Sequence, residues 1–213
     1  MKAFISYSTT DKPVAGSVKT VLDNIGKEAF LAHEDIRVSQ DWKNRILREL
    51  KEAQIFVPLL SKAFKRSRWA SQEIGLAFAQ EDVLFIPLSI DGTIPFGFIS
   101  HLQGKLIPDD GDYEELIISP IIGGYPHEVI PGLIKRMANA GSFRSTEAFM
   151  LPMVSHFDRF NVAEVSAFAN ASIDNGHIRS AKDCRNLYLP NFIRINRSKM
   201  TSKVRKALEN KIA

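Results

Sequence analysis

The segment from Ser67 to Glu73 contains the residues of this chain that are best suited to chemistry. Trp69 and Glu73 are four positions apart, so a helix would place them one turn apart on the same side. An aromatic ring can stack on a flat ligand, and a carboxylate can stabilise positive charge that develops beside it. The ordinary alternative is a packed tryptophan and a solvated glutamate near a helix start. Spacing alone leaves both interpretations open.

A helical projection of residues 69–80, at about 100° per residue, separates two stripes. The stripe that must pack on a sheet contains Ala70, Ile74, Ala77 and Phe78. A second stripe, about a quarter turn away, contains Trp69, Glu73, Leu76 and Gln80. The projection therefore predicts that Glu73 lies beside the core face, neither on it nor opposite it.

Short apolar runs alternate with amphipathic stretches over residues 1–140. The predicted strands are Ala3–Tyr7, Ala29–Ala32, Ile55–Leu60, Val83–Leu88 and Lys105–Ile107. Helical periodicity occurs between them, over residues 14–25 and 42–50. This alternation predicts an α/β domain with a flavodoxin-like, doubly wound, five-stranded parallel sheet in the order 2-1-3-4-5.

In that strand order a crevice opens beyond the carboxyl ends of strands one and three. The turn Ser6–Asp11, after strand one, and the stretch Ser61–Glu73, after strand three, would line it. Ser6, Tyr7 and Thr10 are candidates to contact a ligand there, although polar residues after a strand are commonly only turn formers.

From about Ser142 the pattern becomes helical only. The sequence therefore predicts two domains, 1–140 and 141–213, of which the second is a small all-α domain. Asn161 and Glu164 have capping-box spacing, and Pro190 is expected to end a helix. The last predicted helix, Thr201–Ile212, is strongly basic.

The composition is that of an ordinary globular chain, with 45% hydrophobic and 24% charged residues among 213. The net charge of +4 is concentrated in the tail, where ten Lys or Arg from Arg179 onward stand against two acidic residues. Residues 1–178 hold 18 basic and 22 acidic residues. The excess of positive charge is therefore relevant to a partner of the tail and says nothing about a partner of the first domain.

Several classes of protein are not indicated by the sequence. No run approaches the roughly 20 apolar residues of a membrane span, and the apolar start is too short for a signal peptide. The single cysteine, Cys184, fits a reducing compartment, so we expect a cytoplasmic protein with no membrane partner. The histidines lack paired metal-ligand spacing, and dinucleotide, Walker and nucleophile-elbow motifs do not occur. Neither a metal site nor a cofactor is predicted.

Motifs of one known family occur in order along the first part of the chain. Ala3–Lys12 consists of a predicted strand, then Ser-Tyr, a polar turn and Asp, which is the pattern of the family's first sequence motif. Asp35 and the loop that runs to Trp42 follow strand two, and Ser67–Glu73 has the form Ser-x-Trp-x-x-x-Glu. Together these motifs resemble the Toll/interleukin-1 receptor (TIR) domain over roughly residues 1–140, with Asp35 at the place of its BB loop. Pro95–Phe98 fits the family pattern only loosely.

The resemblance implies an enzyme that cleaves the bond between nicotinamide and ribose in NAD⁺, as in bacterial anti-phage defence. It implies that Glu73 is catalytic and that Trp69 stacks on the substrate. The further substrate-binding candidates are Ser6, Tyr7, Thr10, Asp35 and Trp42. NAD⁺ is a substrate in this scheme, and no cofactor is implied.

The resemblance also bears on partners. The family's loop after strand two helps to close a site shared between neighbouring TIR domains, which implies a homo-oligomer. A downstream effector would respond to the nucleotide product. Asp35 and Trp42 also have a purely structural alternative, as residues of a loop and of a helix start.

A single carboxylate is enough for this reaction on chemical grounds. Ordinary glycosidases need a second carboxyl group, because an alkoxide leaving group must be protonated. Nicotinamide carries its positive charge before cleavage and departs neutral, so no general acid is required. Glu73 could hold the ribose hydroxyls and face the oxocarbenium-like centre. Attack by water would then give ADP-ribose, whereas attack by another nucleophile would give a cyclic or exchanged nucleotide. The sequence does not decide between these products.

Two other functions stay open at this stage. A noncatalytic TIR adaptor would act through domain association alone. The basic tail could bind nucleic acid, but charge by itself supplies only nonspecific affinity, and Tyr188 and Phe192 are its aromatic residues. A nucleic-acid partner is therefore not favoured.

Overall fold

A computed structural model describes residues 1–32, 42–108 and 113–212. Contacts between Cα atoms divide the chain into two compact units, residues 1–117 and 118–213. Across the described parts of the chain, every helix is too short or too polar to span a bilayer.

The first unit is built on a parallel sheet. Its strands are β1 (Lys2–Ser6), β2 (Glu28–Leu31), β3 (Ile55–Leu60), β4 (Leu84–Phe85), β5 (Leu88–Ser89) and β6 (Lys105–Leu106). The order across the sheet is β2-β1-β3-β5-β6, and β4 also pairs with β3. With β4 and β5 taken as two halves of one strand, this is the predicted order 2-1-3-4-5. The winding reverses between β1 and β3, as a crevice at their carboxyl ends requires.

The fourth strand, predicted as one run, is broken into β4 and β5. Ile86 donates its N–H to the carbonyl of Phe56 at 2.9 Å, and Ile90 donates to that of Leu60 at 2.9 Å. Pro58 lies between these two acceptors and has no N–H to give. The ladder is therefore interrupted there, although the register is the same on both sides of the break.

A row of phenylalanine rings marks the register of the sheet. Phe30, Phe4, Phe56 and Phe85 occupy paired positions on β2, β1, β3 and β4. Neighbouring ring centroids are 5.4, 5.8 and 5.3 Å apart along the row, within the range of favourable aromatic pairs. Because side chains alternate between the two faces of a strand, a slip of one residue would turn a ring to the other face.

The helices of the first unit are α1 (Lys12–Asn24), α2 (Trp42–Glu52), α3 (Lys62–Arg66) and α4 (Arg68–Phe78). Helix α5 (Glu114–Gly124) begins in the first unit and continues past the boundary at residue 117. Residues of α2 and α4 share one buried cluster with the phenylalanine row, so these helices cover that face of the sheet. Ala70, Ile74 and Ala77 lie in the cluster, as predicted. The prediction is wrong for Phe78, which stays 43% exposed because its ring stacks on Phe98, at a centroid distance of 5.4 Å, instead of entering the cluster.

The second unit is helical. Its helices are α6 (Pro126–Ala138), α7 (Phe143–Val154), α8 (Val162–Asp174), α9 (Gly176–Ser180), α10 (Leu189–Ile195) and α11 (Ser202–Ile212). Because α6 packs on α7 and α8, residues 118–140 fold with the helices that follow them. This is why the division falls at residue 117 and not near residue 140, where the sequence pattern places it.

Two sequence-based predictions for the second unit, a capping box and a helix end, can be compared with the structure. Asn161 and Glu164 form a capping box at the start of α8: the Glu164 N–H donates to Asn161 Oδ1 at 2.9 Å, and the Asn161 N–H donates to Glu164 Oε2 at 2.8 Å. This prediction is confirmed. Pro190 does not end a helix, contrary to expectation. It lies in the first turn of α10, directly after a π-helical turn over Cys184–Tyr188, and a first turn tolerates a residue without an N–H.

Replacement of Asn161 by alanine removes an acceptor from the capping box and should lower the free energy of unfolding by about 1 kcal/mol. Chemical denaturation followed by circular dichroism measures the change. Asn170→Ala is the matched control, because Asn170 is exposed within the same helix and alanine favours a helix interior. Equal destabilisation by the two variants would contradict the capping role.

Candidate active site

Helix α4 begins immediately after Ser67, whose hydroxyl oxygen caps it by accepting the N–H of Ala70 at 3.3 Å. The helix carries Glu73 in its second turn, and this side chain is only 2% exposed. The solvated glutamate that is common near a helix start is therefore not what the fold contains.

Burial raises the pKa of Glu73 to about 7, from an ordinary value of 4.5, because the charged form loses hydration. The carboxyl group therefore exchanges its proton near neutral pH. Its ionised form acts strongly on a neighbouring positive charge, since little water screens it. A buried carboxyl group with a raised pKa at a sheet edge is a candidate for a functional site.

Ser6, the last residue of β1, donates its hydroxyl to Glu73 Oε2. It follows Phe4 by two positions, so both side chains point to the face that α2 and α4 cover. This hydrogen bond favours the ionised carboxylate and lowers the pKa of Glu73, offsetting part of the effect of burial. The other oxygen, Oε1, is buried and has no hydrogen-bond partner within the described ranges. The protein thus orients one oxygen and leaves the second, also buried, without a partner among the described residues.

Trp69 and Trp42 form an aromatic pair beside this carboxylate. Trp69 precedes Glu73 by one turn of α4, and Trp42 is the first residue of α2. Their ring centroids lie 4.6 Å apart with planes at 70°, an edge-to-face contact. Trp42 is 37% exposed and Trp69 is partly buried. The pair forms an open aromatic wall whose orientation is fixed by contact between two helices.

The turn after β1 is tied to the segment that follows β3. Ser61 donates its hydroxyl to Asp11 Oδ2 at 2.6 Å and accepts the N–H of Phe64 at 3.0 Å, which caps α3. The two segments predicted to line the crevice are therefore joined directly. The Asp11–Ser61 contact is not among the sequence-based predictions, and its signal in the sequence is that both residues follow neighbouring strands, β1 and β3.

The residues predicted to contact a ligand differ in how deeply the structure buries them. Ser6 and Tyr7 are buried at the end of β1, at 0% and 3% exposure. Thr10 is exposed and donates its hydroxyl to Ser8 Oγ at 3.2 Å, within the turn. Asp35 lies outside the described residues. The structure thus brings Ser6 to Glu73 and Trp42 to Trp69, while the Thr10 hydroxyl forms hydrogen bonds within its own turn.

Within the described ranges, no cluster of three or more His, Cys, Asp or Glu side chains could hold a metal ion. The groups assembled here are a buried carboxylate, the hydroxyl that orients it and a pair of indole rings. Such a set can stabilise a cation that forms next to the carboxylate and can hold a flat ring.

The family of the chain follows from a comparison with protein-family models. The model described as TIR domain matches residues 3–116, a span that contains β2 to β6, all of β1 except Lys2, and every candidate residue of the site. A search of curated proteins finds no match to the chain. With its parallel sheet wound in the order 2-1-3-4-5 and the family match over more than half of its length, the chain belongs to the TIR domain family.

Proposed function

We propose that this chain cleaves the bond between nicotinamide and ribose in NAD⁺. The observation that carries the proposal is the buried Glu73 carboxylate, which Ser6 orients through one oxygen while the other has no partner within the described ranges. TIR domains include enzymes that cleave NAD⁺ and adaptors that do not. The site, and not the fold, therefore supports an enzymatic function.

The cleavage step needs only one carboxylate. As the bond from ribose C1′ to the pyridinium nitrogen breaks, its electron pair goes to the nitrogen, and nicotinamide leaves neutral. Positive charge develops at C1′ and the ring oxygen of the ribose. Ionised Glu73 stabilises this charge, and its Oε1 accepts a hydrogen bond from a ribose hydroxyl, an interaction that strengthens as the charge develops.

Trp69 supports the same step by holding a ring of the substrate. Stacking on an indole fixes the plane of the ring without a hydrogen-bond requirement. Trp42 acts through Trp69 in this proposal, because their edge-to-face contact restricts the rotation of the Trp69 ring. Ser6 acts through Glu73 and is a positioning residue.

The nucleophile decides the product. Water attacks C1′ and releases a proton to give ADP-ribose, whereas a ring nitrogen of the adenine gives a cyclic nucleotide from the same intermediate. Cleavage of the bond to nicotinamide is common to both products, ADP-ribose and the cyclic nucleotide. A product of either kind would be the signal to a downstream effector.

TIR domains generally self-associate, and we infer that assembly activates this chain. An open aromatic wall and a turn in which Thr10 is exposed are surfaces that a neighbouring copy could cover. In this proposal Asp35 contacts the substrate or the neighbour. The noncatalytic alternative predicts assembly without turnover.

Glu73→Gln should lower NAD⁺ cleavage by about 100-fold or more, because a neutral amide cannot stabilise the developing cation. Nicotinamide release is measured by chromatography at high protein concentration, with a crowding agent that promotes assembly. Glu81→Gln is the matched control, since Glu81 is exposed just beyond α4. Mass analysis of the other product identifies hydrolysis or cyclisation.

The noncatalytic alternative is tested on the same samples. Equal rates for the wild type and Glu73→Gln would remove Glu73 from the chemistry. Assembly without turnover, unchanged by Glu73→Gln, would establish a scaffold in place of an enzyme.

The pH dependence of cleavage should report the ionisation of Glu73. The ionised form is the active one and dominates above the pKa, so kcat/KM should fall as the pH decreases through about 7. Ser6→Ala removes a hydrogen bond that lowers this pKa, so the midpoint of the acid limb should move to higher pH. A lower rate at an unchanged midpoint would show that Ser6 does not act through the carboxylate.

Trp69→Ala should raise KM by about tenfold, since base–aromatic stacking contributes about 1–3 kcal/mol, while Trp69→Phe should retain most of the affinity. Trp42→Ala should have a smaller effect in the same direction, because it frees the Trp69 ring. Steady-state kinetics on NAD⁺ measure both. Phe143→Ala, at an exposed aromatic residue of α7, is the control for loss of an aromatic side chain. If Trp69→Ala left KM unchanged, the stacking role would have to be abandoned.

A further inference from the structure

A second pocket lies at the carboxyl edge of the same sheet. It has a volume of about 340 Å³ and is formed by the loop between β5 and β6 together with the ends of those strands. Side chains from Ser89, Thr93, Ile94, Pro95, Gln103 and Leu106 contribute to its lining. Ser89 pairs with Leu60 of β3, and β3 lies between β5 and β1. The pocket is therefore about two strand spacings, roughly 10 Å, from the strand that carries Ser6.

The wall of this pocket is held in place by the protein. Asp91 accepts the N–H of Lys62 at 3.0 Å and, with its other oxygen, the N–H and the hydroxyl of Thr93 at 3.1 and 2.6 Å. A Cβ atom at Gly104 would lie 3.1 Å from Pro95 Cδ, so a side chain at this position would crowd Pro95, and glycine allows the close approach. The loop thus has a defined conformation before any ligand binds.

One polar atom of the pocket is not satisfied. Ser89 is 5% exposed, and its Oγ is buried with no hydrogen-bond partner in the part of the chain that the structure describes. Buried hydroxyls ordinarily have a partner, because desolvation without one destabilises the fold. Ser89 lines the pocket, but its Oγ has almost no accessible surface. A rotation of the side chain would turn the hydroxyl to a ligand in the pocket, which would supply the missing partner.

The lining also indicates the kind of ligand. None of the described residues that line the pocket carries a charge, so a charged ligand would lose hydration without compensation. Ile94, Pro95 and Leu106 offer apolar contact to a flat ring. The Gln103 amide and the Ser89 hydroxyl can each donate and accept hydrogen bonds, which suits the edge of a carboxamide or of a nucleobase.

We propose that this pocket binds an uncharged heterocycle of nucleobase size, with its polar edge hydrogen-bonded to Ser89 and Gln103. The inference does not rest on NAD⁺ cleavage, because neither Glu73 nor Trp69 contributes to the pocket. It adds a ligand site to the domain at a second position along the carboxyl edge of the sheet.

Binding of adenine and of nicotinamide to the full chain tests the proposal. Titration is followed by changes in amide signals in nuclear magnetic resonance spectra, up to millimolar ligand. At least one compound should perturb the signals of Ser89 and Gln103, and Ser89→Ala should weaken its binding about five- to tenfold. Because Ser89→Ala removes an unpaired buried hydroxyl, it should unfold at the same temperature as the wild type or higher. Ser166→Ala, at an exposed position of α8, is the matched control.

Glu73→Gln separates this site from the proposed active site. Binding that is weakened by Ser89→Ala and kept in Glu73→Gln supports the pocket, whatever the result of the NAD⁺ assay. Binding that is lost in Glu73→Gln and kept in Ser89→Ala would place the ligand at the crevice and overturn the proposal. Absence of binding by both compounds, or signals at Ser89 that move only with protein concentration, would also overturn it.

Discussion

The burial of the Glu73 carboxylate against the end of β1 is the constraint on which the site depends. Its pKa is about 7 in the folded chain and 4.5 without the protein environment. Between these values the folded state binds more protons than the unfolded state, so the free energy of unfolding falls as the pH rises through the interval. Ionised Glu73 therefore destabilises the fold, and Ser6 offsets only part of this effect. A group that opposes folding in its charged form is typical of a functional site.

The position of that carboxylate follows from the register of the sheet. The phenylalanine row sets which face of β1 is covered by α2 and α4, and Ser6 follows Phe4 by one strand period. A slip of one residue would turn Phe4 out of the row and Ser6 away from Glu73. The contact between Asp11 and Ser61 adds a second link across the reversal between β1 and β3. Core packing and site geometry thus impose the same register.

Much of this arrangement could be predicted because it depends on periodicity and order. The alternation of strands and helices along the sequence predicts the winding of the sheet. That winding in turn predicts that the turn after β1 lies near the segment that contains Glu73. Features that depend on individual contacts were not predicted. Pro58 interrupts a ladder because its missing N–H faces the fourth strand. Pro190 is tolerated because it lies in the first turn of α10, directly after a π-helical turn. Phe78 fits the core stripe by projection, but Phe98, about 20 residues later, offers it a stacking partner outside the core.

The degree of burial of Glu73 could not be predicted from the sequence either, and the reason is general. A helical projection gives the direction of a side chain on its own helix but not the distance to what covers it, and here Ser6 from another element closes that distance. The same holds for Ser89, whose missing partner is evident only once the loop around it is folded. The two unsatisfied atoms differ in charge. A carboxylate oxygen favours a ligand that is or becomes cationic, whereas a hydroxyl in an uncharged pocket favours a neutral one. Nicotinamide changes from cationic to neutral when its bond to ribose breaks, so the cleavage proposed at Glu73 would release the kind of ring proposed for the pocket of Ser89.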